Sequence, residues 1–253
     1  LPVRAVEVTK SIIPVAQAQV DARRRRKPFG LPFLDGLLRV CLGRGPEQEG
    51  DLRSVRRPAQ ALYLAYIGNP DPQDQWGTNN DRVFVQPAGG NETARDLTGY
   101  TDKAVGELTI ADVGGGGGES LVWSADSLRL FFPVSENGDT RVYSVPVDGG
   151  ELTALTPEGH VVGGFSMAGD TIAYTLGSST VPAEVYVGDR QVSDLNRAWS
   201  DEIALQAPIS FALDAGDGGI VPGWFLLPPD FAADGTAPLV LYIHGGPHLQ
   251  YGN

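Results

Sequence analysis

Arg82-Val83-Phe84-Val85-Gln86-Pro87-Ala88-Gly89-Gly90, followed by Leu97-Thr98, returns as Arg141-Val142-Tyr143-Ser144-Val145-Pro146-Val147-Asp148-Gly149-Gly150, followed by Leu155-Thr156. Each copy is a run of β-branched and aromatic residues, a proline, a glycine-containing turn and a short return segment, which is how a β-hairpin reads. A third copy, Glu184-Val185-Tyr186-Val187-Gly188-Asp189, is followed by Leu195-Asn196.

The segment ahead of each hairpin recurs as well. Trp123-Ser124-Ala125-Asp126 leads into an apolar run from Leu128 to Phe132, and Phe165-Ser166-Met167-Ala168-Gly169-Asp170 leads into Thr171 to Thr175. Matched positions such as Tyr143 and Tyr186 lie 43 residues apart, a period expected of propeller blades. A single four-stranded blade cannot bury both faces, so blades must stack around an axis. Trp123, Phe165, Tyr143 and Tyr186 are therefore expected in the core between blades rather than in a ligand cage. About three blades are legible, fewer than the four to eight that close a ring. Upstream, Tyr63 to Ile67 reads as a strand ended by Gly68-Asn69-Pro70, and Asp71 to Asn80, with Trp76, as a long polar surface loop.

After Asn196 the repeats stop. Ile209 to Leu213 reads as a strand, Asp214 to Gly219 as a turn, and Ile220 to Leu227 as a second strand closed by Pro228-Pro229. The chain then reaches Pro238-Leu239-Val240-Leu241-Tyr242-Ile243-His244-Gly245-Gly246-Pro247-His248. The continuous apolar run predicts a strand buried on both faces. Consecutive glycines let the backbone turn sharply and leave amides uncovered by side chains, so they can face a developing negative charge. An apolar strand followed by Gly-Gly-Pro also fits a plain tight turn, and the tetrapeptide alone leaves the two readings open.

The longer string His244-Gly245-Gly246-Pro247-His248, then Gln250-Tyr251-Gly252, with Gly223-Trp224-Phe225-Leu226-Leu227-Pro228-Pro229 upstream, resembles the prolyl oligopeptidase family of serine peptidases. Within it the likeness is to the acylaminoacyl-peptidase and dipeptidyl-peptidase branch, and it runs from about Tyr63 to Asn253. The aromatic-Ser-x-x-Asp element is similar to the S-P-D-G turn of blades in this family and in TolB-like propellers, although the proline is absent here. The resemblance implies a mainly β chain: a partial β-propeller over 58–207, followed by the first strands of an α/β-hydrolase domain over 208–253. It also assigns the oxyanion side of an active site to the glycine loop, with the amides of Gly245 and Gly246 as donors and His244, Pro247 and His248 as loop scaffold.

The family's serine, aspartate and histidine follow the oxyanion loop in that chain order. The sequence holds no G-x-S-x-G, so none of the triad is expected in it, and His244, which precedes the serine's place, is not the triad base. The implied activity is hydrolysis of short peptides without a cofactor, and the chain by itself is expected to be inactive. His244 and His248 have no Cys or carboxylate at ligand spacing, which argues against a metal site. A non-catalytic TolB-like propeller that binds a partner explains the repeats equally well, but not Pro238 to Gly252.

Composition agrees with a turn-rich β protein, with 33 glycines and 19 prolines in 253 residues. The net charge of -12 argues against a nucleic-acid partner. A lone cysteine, Cys41, forms no internal disulfide, and no apolar run approaches the roughly 18 residues that span a bilayer. A cytoplasmic location without membrane partners is the default expectation; oligomeric state is not readable. Gly114 to Gly118 lacks the Lys-Ser/Thr of a phosphate loop and reads as a surface loop.

Residues 1–57 stand apart, with 12 Lys and Arg against 6 Asp and Glu, whereas 58–253 holds 7 against 25. They include the basic run Arg23 to Lys27 and a leucine-rich patch, Leu31 to Leu42, without clean periodicity. A solvated or disordered tail is the reading preferred over an anion-binding patch. A frame error or gene remnant before about residue 60 is a third expectation, and with it a product lacking a stable fold.

Overall fold

The computed structural model describes residues 62–71, 73–74, 77–87, 92–110, 121–246 and 248–252, together with the backbone of one strand at 40–44. The basic run, the Gly114–Gly118 tract, Trp76 and Pro247 lie outside the described residues. The chain divides into units 1–37 and 38–253, and everything described belongs to the second.

Strands β1 (Val40–Arg44), β2 (Leu62–Gly68), β3 (Arg82–Pro87) and β4 (Arg95–Asp96) make a four-stranded antiparallel sheet in sequence order. β1, in the segment that the sequence left unassigned, pairs along its length with β2, from Val40↔Tyr66 to Arg44↔Leu62.

The second meander begins with a strand in two pieces. β5 (Ala104–Val105) and, after an excursion through β6 (Thr109–Ile110), β7 (Val122–Trp123) pair with opposite ends of one edge of β8 (Arg129–Glu136). β9 (Asp139–Pro146) and β10 (Thr153–Ala154) complete it. The third meander is β11 (Val161–Ala168), β12 (Thr171–Gly177), β13 (Glu184–Val187) and β14 (Arg190–Gln191). One parallel pair, Val161↔Thr140, joins the last two meanders into a nine-stranded sheet.

The repeated sequence is thus the third strand of each blade, β3, β9 and β13, with its hairpin return. Each is closed by the same device. The amide of Val83 donates to the Thr98 hydroxyl at 3.1 Å, that of Val142 to Thr156 at 3.0 Å and that of Val185 to Ser193 at 2.8 Å. The residue before each hydroxyl, Leu97, Leu155 or Val192, returns its own amide to the carbonyl of the same valine. In the third blade the counterpart of Leu97-Thr98 is therefore Val192-Ser193, not Leu195-Asn196, because the β13–β14 turn is shorter.

Blade stacking explains the apolar runs. On β8, Leu130, Phe132 and Val134 enter a cluster with Ala65, Val83, Val85 and Leu97 of the first blade. Phe131, pointing the other way, joins Val162, Phe165, Ile172 and Tyr174 of the third. On β9, Tyr143 and Val145 face the first cluster and Val142 the second. Trp123 and Tyr186 pack on the margins of these clusters, so all four expected aromatics belong to the inter-blade core.

The turns between first and second strands differ. At Ser124–Ser127 the Ser124 hydroxyl accepts from the Arg129 amide at 2.9 Å, Asp126 Oδ1 accepts from Leu128 at 3.0 Å, and Ser127 takes φ 61°. In the third blade Ser166 is a strand residue opposite Ala173, and the chain reverses at Gly169, φ 60°, so the two sequence copies do not form one turn. β8 and β9 are joined by Asn137-Gly138, both at positive φ, the two-residue turn whose twist suits a hairpin.

Beyond the one-turn helix α1 (Arg197–Ser200) stand β15 (Ile209–Asp214) and β16 (Ile220–Phe225), an antiparallel pair at the sequence-predicted positions. The run Leu239–Ile243 departs from expectation. It joins no sheet among the described residues, and its side chains are 76 to 83 % exposed. Its apolar character suits a sheet interior, but β15 and β16 pair only with each other and offer it no neighbour. No helix among the described residues is long and apolar enough to cross a membrane.

Candidate functional site

The glycine loop follows directly on the exposed run, and the residues after it are bound to the blades. β17 (Gln250–Tyr251) lies parallel to β6, with Gln250↔Thr109 and Tyr251↔Ile110 in register. The Gln250 side chain is used at both ends. Its Nε2 donates to Thr109 Oγ1 at 2.8 Å and to the Asp139 carbonyl at 2.9 Å, while Oε1 accepts from the Gly138 amide at 3.1 Å. Gly252 sits where a Cβ would lie 2.4 Å from Thr109 Cγ2 and 2.8 Å from Val161 Cγ2, so only glycine admits this approach.

His248 makes a second attachment, to the first blade. Its Nδ1 is 2.8 Å from the Gly77 carbonyl and its Nε2 2.9 Å from Asn80 Oδ1. The loop that presents them is organised by the Asp74 carboxylate, which accepts from the Asn79 amide at 2.8 Å and from the Asn69 and Asn79 side chains at 3.0 Å. Burial pushes the neighbouring Asp81 carboxyl up; the His248 charge opposes that shift and Asp74 adds to it.

Between these attachments and the apolar run lie the sequence-predicted oxyanion residues. Gly245 is exposed, with open space where a Cβ would stand, and Gly246 has φ +152°. A side chain at Gly246 would also meet Leu249 Cγ at 2.8 Å. His244 turns inward on its own loop, with Nδ1 3.2 Å from the Gly245 carbonyl, and meets the Tyr251 ring edge-on at 5.8 Å between centroids. Tyr251 also packs on Tyr242 at 5.4 Å. The structure thus brings His244, Gly245, Gly246 and His248 into one loop with Tyr251.

The sequence did not single out Gln250, Asn80, Asp102 or Thr109 as partners of this loop. The one available signal was a polar Gln250 between Leu249 and Tyr251, which alternation could have marked as inward-facing.

Stacked four-stranded antiparallel meanders, followed by a hairpin and a blade-anchored glycine loop, define a β-propeller-bearing class of chain. No protein-family profile matches it. The uncharacterized peptidase YuxL of Bacillus subtilis (strain 168) is 28 % identical over 166 residues, which is 62 % of this chain and 25 % of that protein. Dipeptidyl-peptidase 5 of Porphyromonas gingivalis is 25 % identical over 135 residues, 51 % of this chain and 20 % of that one. Among solved structures, the acylaminoacyl peptidase of Pyrococcus horikoshii is similar at 17 % identity and TM-score 0.46, over 73 % of this chain and 30 % of its own. The chain is a relative of the prolyl oligopeptidase-family peptidases. It spans about a quarter or less of the length of the curated relatives it matches.

Proposed function

We infer that this chain supplies propeller blades and the oxyanion-side loop of a serine-type peptidase acting on short peptides, with acylaminoacyl- or dipeptidyl-peptidase-like specificity. In this reading 58–207 is propeller and 208–253 opens the α/β-hydrolase domain. The amides of Gly245 and Gly246 donate to the carbonyl oxygen as it gains charge on nucleophilic attack. His244 shapes the turn, and Pro247 and His248 frame it. The nucleophile, its base and the orienting carboxylate come from outside these residues, so the isolated chain does not turn over.

The supporting observation is the double attachment of the residues after the loop. His248 is held to the first blade and Gln250 to the second, which keeps the glycine amides beside the propeller. The test compares the isolated chain with the full-length gene product on N-acyl-aminoacyl and dipeptidyl p-nitroanilides. Serine-reagent-sensitive turnover is expected only from the full-length product. Gly246→Ala in that product keeps the amide but sets a Cβ 2.8 Å from Leu249 Cγ at a φ of +152°, so it should displace the donor and lower kcat by up to about 100-fold with little change in KM. Turnover by the isolated chain, or none by the full-length product, would overturn the reading; the latter would favour a non-catalytic propeller.

A further inference from the structure

His248 faces two acceptors. The Gly77 carbonyl at Nδ1 can only accept, and the atom at Nε2 is the Asn80 amide oxygen. A flip of the Asn80 amide would offer an N–H instead, but its Nδ2 already donates to Asp102 Oδ1 at 2.9 Å. Flipping would set the amide oxygen against that carboxylate. Asp102 therefore orients Asn80, Asn80 presents an oxygen to the ring, and both contacts are satisfied at once only when the imidazole carries a proton on each nitrogen. The acidic groups on the elements around it are Asp81, Asp74 and Asp102.

We propose that His248 is a positioning residue: as an imidazolium held by Gly77 and the Asp102-oriented Asn80, it pins the Gly245–Gly246 turn to the first propeller blade. The role in catalysis rests on the peptidase reading; the pin itself does not. His248 lies two residues beyond Gly246 and is half-buried against the blade, so the ring is the nearest fixed point after the turn. Loss of one ring proton leaves an acceptor facing an acceptor and frees the turn. The propeller and the glycine loop are thereby coupled through a single side chain.

The test uses the 253-residue chain labelled with 15N. Both ring nitrogens of His248 should show the protonated signature in the parent chain, and in Asp102→Ala one of them should move to the unprotonated one as the Asn80 amide turns over. His248→Gln should lower the backbone order parameters of Gly245 and Gly246 from about 0.85, typical of rigid backbone, to below about 0.6. Asp102→Ala, in which the flipped Asn80 amide donates to Nε2 and keeps the contact, should leave them near the parent value. A neutral His248 ring in the parent chain, or unchanged glycine order in His248→Gln, would overturn the proposal. In the full-length product, His248→Gln should reduce kcat with KM little changed. If the spectroscopic signatures hold while the full-length product hydrolyses nothing, the pin stands and only the peptidase reading falls.

Discussion

The amide of Val142 donates to the Thr156 hydroxyl at 3.0 Å inside the second blade, where Val142 is fully buried and Thr156 only 4 % exposed. A buried amide deprived of its acceptor costs about 1 to 3 kcal/mol. Thr156→Val, nearly the same shape, should therefore lower urea-unfolding stability by about that amount, while Thr156→Ser, which keeps the oxygen, should lose markedly less. A larger loss in Thr156→Ser than in Thr156→Val would show that the methyl group, not the hydrogen bond, matters.

Among the described residues Phe132 is the largest fully buried side chain, and it lies between the first and second blades. Phe132→Ala should destabilise by about 3 to 5 kcal/mol, through lost burial and the cavity left behind. Leu241→Ala, at a site 78 % exposed, should stay within about 0.5 kcal/mol despite the equally apolar residue. Denaturant titrations of the two variants side by side decide the point.

The Glu184 carboxylate is held at about 2, first by the Ser193 hydroxyl, then by the amides of Leu195 and Asn196. The Asn196 amide lies 2.8 Å away, and the Asn196 side chain adds a donor at 2.9 Å. Its folded value lies below the ordinary 4.5, so its contribution to stability is present above about pH 5 and lost as pH falls through the folded value. The difference in melting temperature between the parent and Glu184→Gln should be largest at neutral pH and shrink toward pH 2. A difference independent of pH would remove the carboxylate from the account.

Gly252 is packed against Thr109 and Val161, and its amide donates to the Ile110 carbonyl at 3.3 Å, as Gln250 does to Leu108 at 3.1 Å. Gly252→Ala should push β17 off β6, and hydrogen exchange at the Gln250 amide should accelerate by about tenfold, the equivalent of one lost hydrogen bond. Unchanged exchange would mean that the side chain of Gln250 alone holds the segment.

Much of the fold was legible because blade sequence is local. The third strand of each blade carries β-branched and aromatic residues ended by a proline or glycine turn, so β3, β9 and β13 were found from spacing, with the returns of the first two; the shorter β13–β14 turn displaced the third. Asn137-Gly138 carried an equally strong turn signal. Other elements were hidden. β1 lies in a leucine-rich patch without alternation and is defined by its pairing with β2. The correspondence of Ser166 with Ser124 failed because β11 runs on as a strand through Ala168, which no single residue announces.

The candidate site divides in the same way. The sequence by itself determined that a Gly-Gly turn follows an apolar run after the last blade, because glycine alone supplies that backbone freedom. Tertiary structure decided that His248 reaches the Gly77 carbonyl 171 residues away and that Gln250 reaches the Asp139 carbonyl 111 residues away. It also decided that Leu239–Ile243 stands exposed. Hydrophobic pattern reports what a segment can bury, whereas burial requires a neighbour, and neighbours are set by how the blades stack.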